Sequence, residues 1–309
     1  MALTKITGKG IGAVDEITSD TAGTSNFVAG VNAGNSIASG GNYNVVIGDE
    51  AGTALTTGDD NVAVGYAALK TEDANGRNTA VGYEALEMLN AGADAENVAV
   101  GYRAGEELTE GIQNVLIGAQ AGDALTHADY NTAVGRNALS SDTQGSNSTA
   151  IGNGALNTQN FTSATASQNV AVGNSAGYSS TTGTLNTFVG HGAAASNTTG
   201  YDNICIGRDA GVSDGSAGVS CVTGYRNILI GDRSNLSATD GIHQLNLGSN
   251  ITGANSAFTF GNGGTDSRIS VGATSITAPS DERYKEEITT STAGLSFIND
   301  LRPVTFKWK

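Results

Sequence analysis

The residues able to do chemistry in this chain are few and scattered. Three histidines and two cysteines are its only soft metal ligands among 309 residues. His127, His191 and His243 are isolated from one another and from Cys205 and Cys221, whereas a structural zinc site needs ligands paired a few residues apart. No metal or cofactor is therefore expected. The acids follow no fixed repeat position, and no calcium-binding nonapeptide of the GGxGxDxUx type is present. The string GNGGTD at 261–266 has no following Lys-Ser/Thr, so it is a poor phosphate loop. Cys205 falls within an apolar run and reads as a small core hydrophobe; the partner of Cys221 is left open. Reactive side chains gather only near the C-terminus, where APSDERYKEEI at 278–288 sets Ser280, Asp281, Arg283 and Lys285 close together.

These groups must be positioned by elements whose pattern is unusually regular. The run Asn-Val/Thr/Ile-apolar-Val/Ile-Gly ends at Gly48, Gly65, Gly82, Gly101, Gly118, Gly135, Gly173, Gly190, Gly207 and Gly231, and at Gly152 with Ser148 in place of the Asn. Degenerate copies end at Gly30, Gly248 and Gly261, and eight of the thirteen Gly-to-Gly intervals are 17 residues. A fixed short period marks a solenoid, and the longer intervals mark coils that carry insertions. Each run reads as a short strand: Val62 and Val64 point one way and Ala63 the other. Both faces are apolar, as in a stacked parallel sheet. The Asn before the run suits a turn and can ladder its amide along the stack. The Gly after it permits a corner. The following Ala of YAALK, YEALE or YRAGE turns a small side chain inward. The fold class expected is all-β, a parallel β-roll or β-solenoid of ~17-residue coils, roughly 60 Å long at ~4.8 Å per coil. Residues 26–272 form the roll. Residues 1–25 form an N-terminal attachment segment, and 273–309 form a short α+β C-terminal segment.

Composition removes other classes. Glycine supplies 44 residues without a Gly-X-Y period, which excludes collagen. No apolar stretch is long enough to span a membrane, and MALTKITGKG has no apolar leader, so neither membrane insertion nor a signal peptide is expected. A net charge of −15 disfavours a nucleic-acid partner. Acids crowd residues 1–142, with 19 acids against 6 bases, while 143–201 carry no charged side chain. That asymmetry fits a solvated shaft followed by a different surface, or chance variation of a solvated surface.

A coil this thin buries only a handful of small side chains. That gain is slight beside the ~1–2 kcal/mol per residue of backbone ordering. A second burial surface is needed, and sister chains are the expected source: a homotrimer sealed along the remaining apolar face.

The NTAVGYxAL-type pattern resembles the heads of trimeric autotransporter adhesins and the β-roll shafts of phage tail fibres. That resemblance covers residues 26–262 and implies three chains in a left-handed parallel roll. Ser280, Asp281, Lys285 and Ile288, followed by Leu301, Pro303, Val304, Phe306 and Trp308, resemble the opening of the intramolecular chaperone domain that ends phage tailspikes and tail fibres, including endosialidases. The resemblance implies that Ser280 is a nucleophile and Lys285 its general base in self-cleavage at Pro279–Ser280, where that domain is complete. A lysine can take that role if desolvation or a neighbouring cation lowers its pKa.

The function expected is a structural and receptor-binding phage tail fibre. It would be made in the host cytoplasm, built into the virion tail through its N-terminus and a tail or baseplate protein, and would adhere to a host surface glycan or protein. A tailspike depolymerase and a bacterial trimeric adhesin are the alternatives. Solenoids carry binding surfaces on insertions, and two coils are enlarged, at Asn157–Gln168 and Val212–Tyr225. Asn157, Phe161, Thr162, Ser220 and Tyr225 are the expected receptor contacts. The recurring tyrosines, among them Tyr66, Tyr83 and Tyr102, are expected to pack at coil corners, with carbohydrate stacking as the sharper alternative.

Overall fold

In the computed structural model the chain is an all-β parallel solenoid of about 14 turns. The structure describes residues 21–213, 215, 218–263, 266–270 and 272. The N-terminal segment to residue 20 and the C-terminal segment 273–309 lie outside the described residues, as do Ser280 and Lys285. Among the described residues there is no α-helix.

The strands follow the sequence period. They are β1 (Phe27–Ala29), β2 (Val45–Ile47), β3 (Val62–Val64), β4 (Thr79–Val81), β5 (Val98–Val100), β6 (Val115–Ile117), β7 (Thr132–Val134), β8 (Gly145–Ser146) and β9 (Thr149–Ile151). Then come β10 (Thr165–Ala166), β11 (Val170–Val172), β12 (Thr187–Val189), β13 (Ile204–Ile206), β14 (Ile228–Ile230), β15 (Gln244–Ser249), β16 (Ala257–Asn262) and β17 (Ser267–Ser270). All except β8 and β10 join one 15-stranded sheet in chain order. Pairing is parallel and in register, with Val62 beside Val45 and Thr79, until β17 turns back antiparallel on β16. Insertions leave this register intact, because the coil after each one restarts from a ladder Asn, Asn169 and Asn227.

That Asn fixes the register. The Asn97 Oδ1 accepts the Asn114 backbone N–H at 2.9 Å, and the Asn114 Oδ1 accepts that of Asn131 at 3.0 Å. The Asn114 Nδ2 donates across the coil to the Ala128 carbonyl at 2.8 Å, a bond that closes the turn. The same arrangement recurs at Asn186 and Asn203, whose amides also meet each other at 3.2 Å. The ladder asparagines are buried, so these bonds satisfy polar groups that water does not reach.

From β2 to β14 the middle residue of each three-residue strand is buried, while its two neighbours stay half-exposed or exposed in the single chain. The expected two apolar faces are both present, and only one is sealed by the chain itself. Inside, the Ala after each corner is fully buried, as at Ala68, Ala85 and Ala104. Glycine is required at the corner: Gly65 has φ +134, and a Cβ there would meet the Gly82 carbonyl oxygen at 2.2 Å.

In the coils of β1 to β13 the position four residues after that Gly is left-handed whatever its side chain. Gly52, Gly105 and Gly122 occupy it in some coils, and Leu69, Leu86, Leu139 and Leu156 in others, with φ between 49° and 62°. A left-handed leucine costs ~1–2 kcal/mol, and volume explains its use. Leu69, Leu86, Leu139 and Leu156 share coils with Ala63, Ala80, Ala133 and Ala150 at the strand centre. Gly52 and Gly122 share coils with Val46 and Leu116. One large side chain per pair keeps the interior of these coils filled, while Gly105 with Ala99 and Gly177 with Ala171 are small at both positions.

Candidate functional site

The two enlarged coils widen on opposite sides of one interior column. That column runs Leu55, Glu72, Leu89, Leu108, Leu125, Asp142, Gln159, Ser180, Asn197 and Cys221, all buried. In the first enlarged coil the extra residues follow Gln159; in the second they precede Cys221 and so lie within 212–220.

The first insertion is anchored by buried polar groups. The Asp142 Oδ1 accepts the backbone N–H of Gly145 and of Phe161, each at 3.0 Å, and its Oδ2 accepts the Gln159 amide at 2.6 Å. Gln159 also donates to the Ser148 Oγ at 3.1 Å and accepts from the Asn169 amide at 2.8 Å. It thereby spans the one gap in the asparagine ladder, where Ser148 stands. The inserted chain then adds β10, which pairs in parallel with β8.

Phe161 corrects an expectation. Its ring is only 6% exposed and packs over Gly145, where a Cβ would lie 2.8 Å from its Cδ2. It is a plug, not a surface contact, because the Asp142 bond to its backbone turns it inward. Thr162 beside it is exposed. Asn157 is half-buried and donates to the Ser140 Oγ at 2.8 Å. In the second insertion the half-buried Ser220 Oγ accepts the Ser213 backbone N–H at 3.0 Å, and Val219 bridges antiparallel to Leu236.

Tyr225, like Tyr201 one of the recurring tyrosines expected at coil corners, sits in a group whose mutual contacts the sequence did not reveal. Its ring stacks on Tyr201 with centroids 4.8 Å apart and planes within 3°, and His243 meets it edge-on at 6.0 Å. Arg226 lies 5.9 Å from the Tyr225 ring and pairs with Asp202 at 3.5 Å. A signal was available: Tyr201 and Tyr225 both stand two residues before a ladder asparagine, Asn203 and Asn227. A second stack joins Tyr66, Tyr83 and Tyr102 at 5.2 and 5.4 Å. These three rings do lie beside coil corners, but they pack on each other and remain half-exposed.

Charged groups also pair rung to rung. Arg208 binds Asp232 through two bonds of 2.9 and 2.8 Å. His127 and His191, isolated in sequence, meet Glu110 at 3.7 Å and Asp209 at 3.8 Å. Glu84, Glu87 and Glu106 bring carboxylate oxygens within 4.8 Å of one another, and Arg103 inserts at 2.9 Å from Glu84 and 3.5 Å from Glu106. Burial pushes Glu106 above its ordinary value despite that cation, and the Glu84 carboxylate holds the Tyr83 phenol above its own. The guanidinium gives two of the three carboxylates a countercharge, and Lys70 meets the third, Glu87, at 3.6 Å.

Cys205 is an inward strand residue, as its run implied, and Cys221 is buried near it across Gly211. Burial pushes the Cys221 thiol up to about 11 and holds the Cys205 thiol well above its ordinary value.

One comparison bears on the C-terminal segment. Residues 280–309 match the family described as the chaperone of endosialidase. No match was found among curated proteins or among solved structures. The matched stretch begins at the Ser280 singled out in the sequence. A solenoid that leads into a chaperone-of-endosialidase segment points to a phage-associated protein of tail-fibre or tailspike type.

Proposed function

We propose that this chain is the shaft and receptor-contacting part of a homotrimeric phage tail fibre that mediates adhesion to the host. The observation that carries the reading is the order of parts: a parallel solenoid followed directly by the endosialidase-chaperone match at 280–309. The sealing of three chains is supported by the half-exposed apolar residues on the outer face of every rung. Residues 1–25 attach to a virion tail or baseplate protein. Thr162, Asn157, Ser220 and Tyr225 meet a host surface glycan or protein, while Phe161 supports the loop from within. Ser280 and Lys285 act as nucleophile and base if the chain cuts itself at Pro279–Ser280.

Native mass measurement tests the assembly: three times the 31.0 kDa of one chain is expected. A cut at residue 280 would remove 30 residues per chain, and Ser280→Ala would restore the full mass. A single-chain mass at all concentrations overturns the reading. Incubation with host-surface glycan separates fibre from depolymerase, since a fibre binds the polymer without shortening it.

A further inference from the structure

The outward side chains of the sheet enlarge towards its C-terminal end. From β2 to β12 they are Val, Thr or Ile. They then become Ile204 and Ile206, Ile228 and Ile230, Leu245 and Leu247, and finally Phe258 and Phe260. At the opposite end Phe27 has only Ala29 beside it on that face. The strands lengthen at the same place, from three residues to six in β15 and β16. Buried Asn246 and Thr259 alternate with these residues, so the leucines and phenylalanines stand on the outer side.

Among the described residues this end also carries the last strand. β17 turns back on β16 and sets Ile269 directly opposite Phe258. The Phe258 and Phe260 rings lie 5.1 Å apart, and Leu247 is 49% exposed. The outer positions from Phe27 to Phe260 include no charged side chain.

A second copy of this chain is the occupant that fits such a face. It presents one apolar pair per rung at the pitch of the sheet, so a partner must carry the same pitch to meet more than one or two rungs. Association scales with apolar area removed from water, and that area per rung is greatest over β15 and β16. We propose that Leu245, Leu247, Phe258, Phe260 and Ile269 form a clamp that holds the copies together, and that the Val and Thr rungs before it associate only weakly without it. The proposal rests on the trimer reading above.

The test uses the full chain and follows its mass against concentration by sedimentation. The pair Leu247→Ser and Phe260→Ser is compared with the pair Val64→Ser and Val81→Ser, all four at half-exposed outer positions. The clamp pair should raise the concentration of half-dissociation at least about tenfold, and the valine pair less than about threefold, since each tenfold reflects about 1.4 kcal/mol. Equal shifts, or a larger shift for the valines, overturn the clamp. Far-UV circular dichroism checks that the rungs persist. If the double variant loses them, Leu247→Ala alone keeps the strand apolar and should still shift dissociation in the same direction; no shift overturns the clamp. Wild-type chain that stays single at every concentration overturns the trimer reading itself.

Discussion

The Phe188 ring occupies the space that a side chain on Gly177 would need: a Cβ on Gly177 would lie 2.7 Å from Phe188 Cδ2 and 2.9 Å from Leu156 Cδ2. Gly177 and Ala171 are the two small residues of one coil, and the neighbouring rungs fill the void between them. Gly105, in the coil of Ala99, is filled likewise by Leu116 and Leu86 at 2.7 and 2.9 Å. The interior is thus packed between rungs as well as within them.

Gly177→Leu should therefore destabilise by more than the ~1–3 kcal/mol of ordinary overpacking, since its left-handed φ of 60° adds strain. Phe188→Ala alone should cost ~3–5 kcal/mol through the cavity it leaves. Their combination should recover much of both losses, because it gives rung centres like those of Ala63 with Leu69. Thermal unfolding of the two single variants and the double checks this, and additive losses would contradict the packing rule.

The asparagine ladder gives a second test. Asn114→Ala removes the acceptor for the Asn131 N–H and the donor to the Ala128 carbonyl, leaving both buried groups unpaired. Each orphan costs ~1–3 kcal/mol. Asn114→Asp keeps an acceptor oxygen but loses the amide donor and buries a charge. At neutral pH it should unfold at a lower temperature than the alanine variant, and acid should narrow the difference.

The rung and the ladder were legible because their period is strict: Asn61, Val62, Ala63, Val64 and Gly65 state strand, register and corner within five residues. The left-handed Leu69 was not legible, because nothing local favours leucine there; its place is set by Ala63 across the coil. The polar run Asp142, Gln159, Ser180 and Asn197 stands seven residues after each corner Gly, as Leu125 does, and was hidden because the column changes there from leucine to polar residues. Phe161 misled because it lies in an insertion. An insertion has no period to say which way a ring faces, and buried Asp142 decides it through a backbone bond. The Tyr201–Tyr225 pair was hidden by the 24 residues that separate two positions one rung apart.

Glu72 is the pH-sensitive member of that column. It is buried between the levels of Leu55 and Leu89; its Oε1 accepts from Asn75, and its Oε2 has no hydrogen-bond partner. Burial raises its pKa above the ordinary 4.5, and bonds to Asn75 oppose this less strongly. A folded pKa above the unfolded one means that the contribution is fully present below pH 4.5 and is lost as pH rises through the folded value. Glu72→Leu should raise the unfolding temperature at pH 7 and flatten its pH dependence above 4.5. A variant that unfolds earlier than wild type at pH 7 would contradict this.

The two thiols should report on the integrity of a single coil. Thiolate is the reactive form, and burial holds Cys221 at about 11 and Cys205 above its ordinary value. At pH 8 folded protein should therefore react with iodoacetamide far more slowly than unfolded protein does, at both positions. Cys221 accepts from the Asn197 amide at 3.7 Å on the rung below. Asn197→Ala removes that bond, which favours the thiolate, so Cys221 should become still less reactive in folded chain while Cys205 stays unchanged. Mass spectrometry of the alkylated peptides separates the two sites. Faster labelling of Cys221 in the variant would mean that the amide closes the coil against reagent rather than tuning the sulfur.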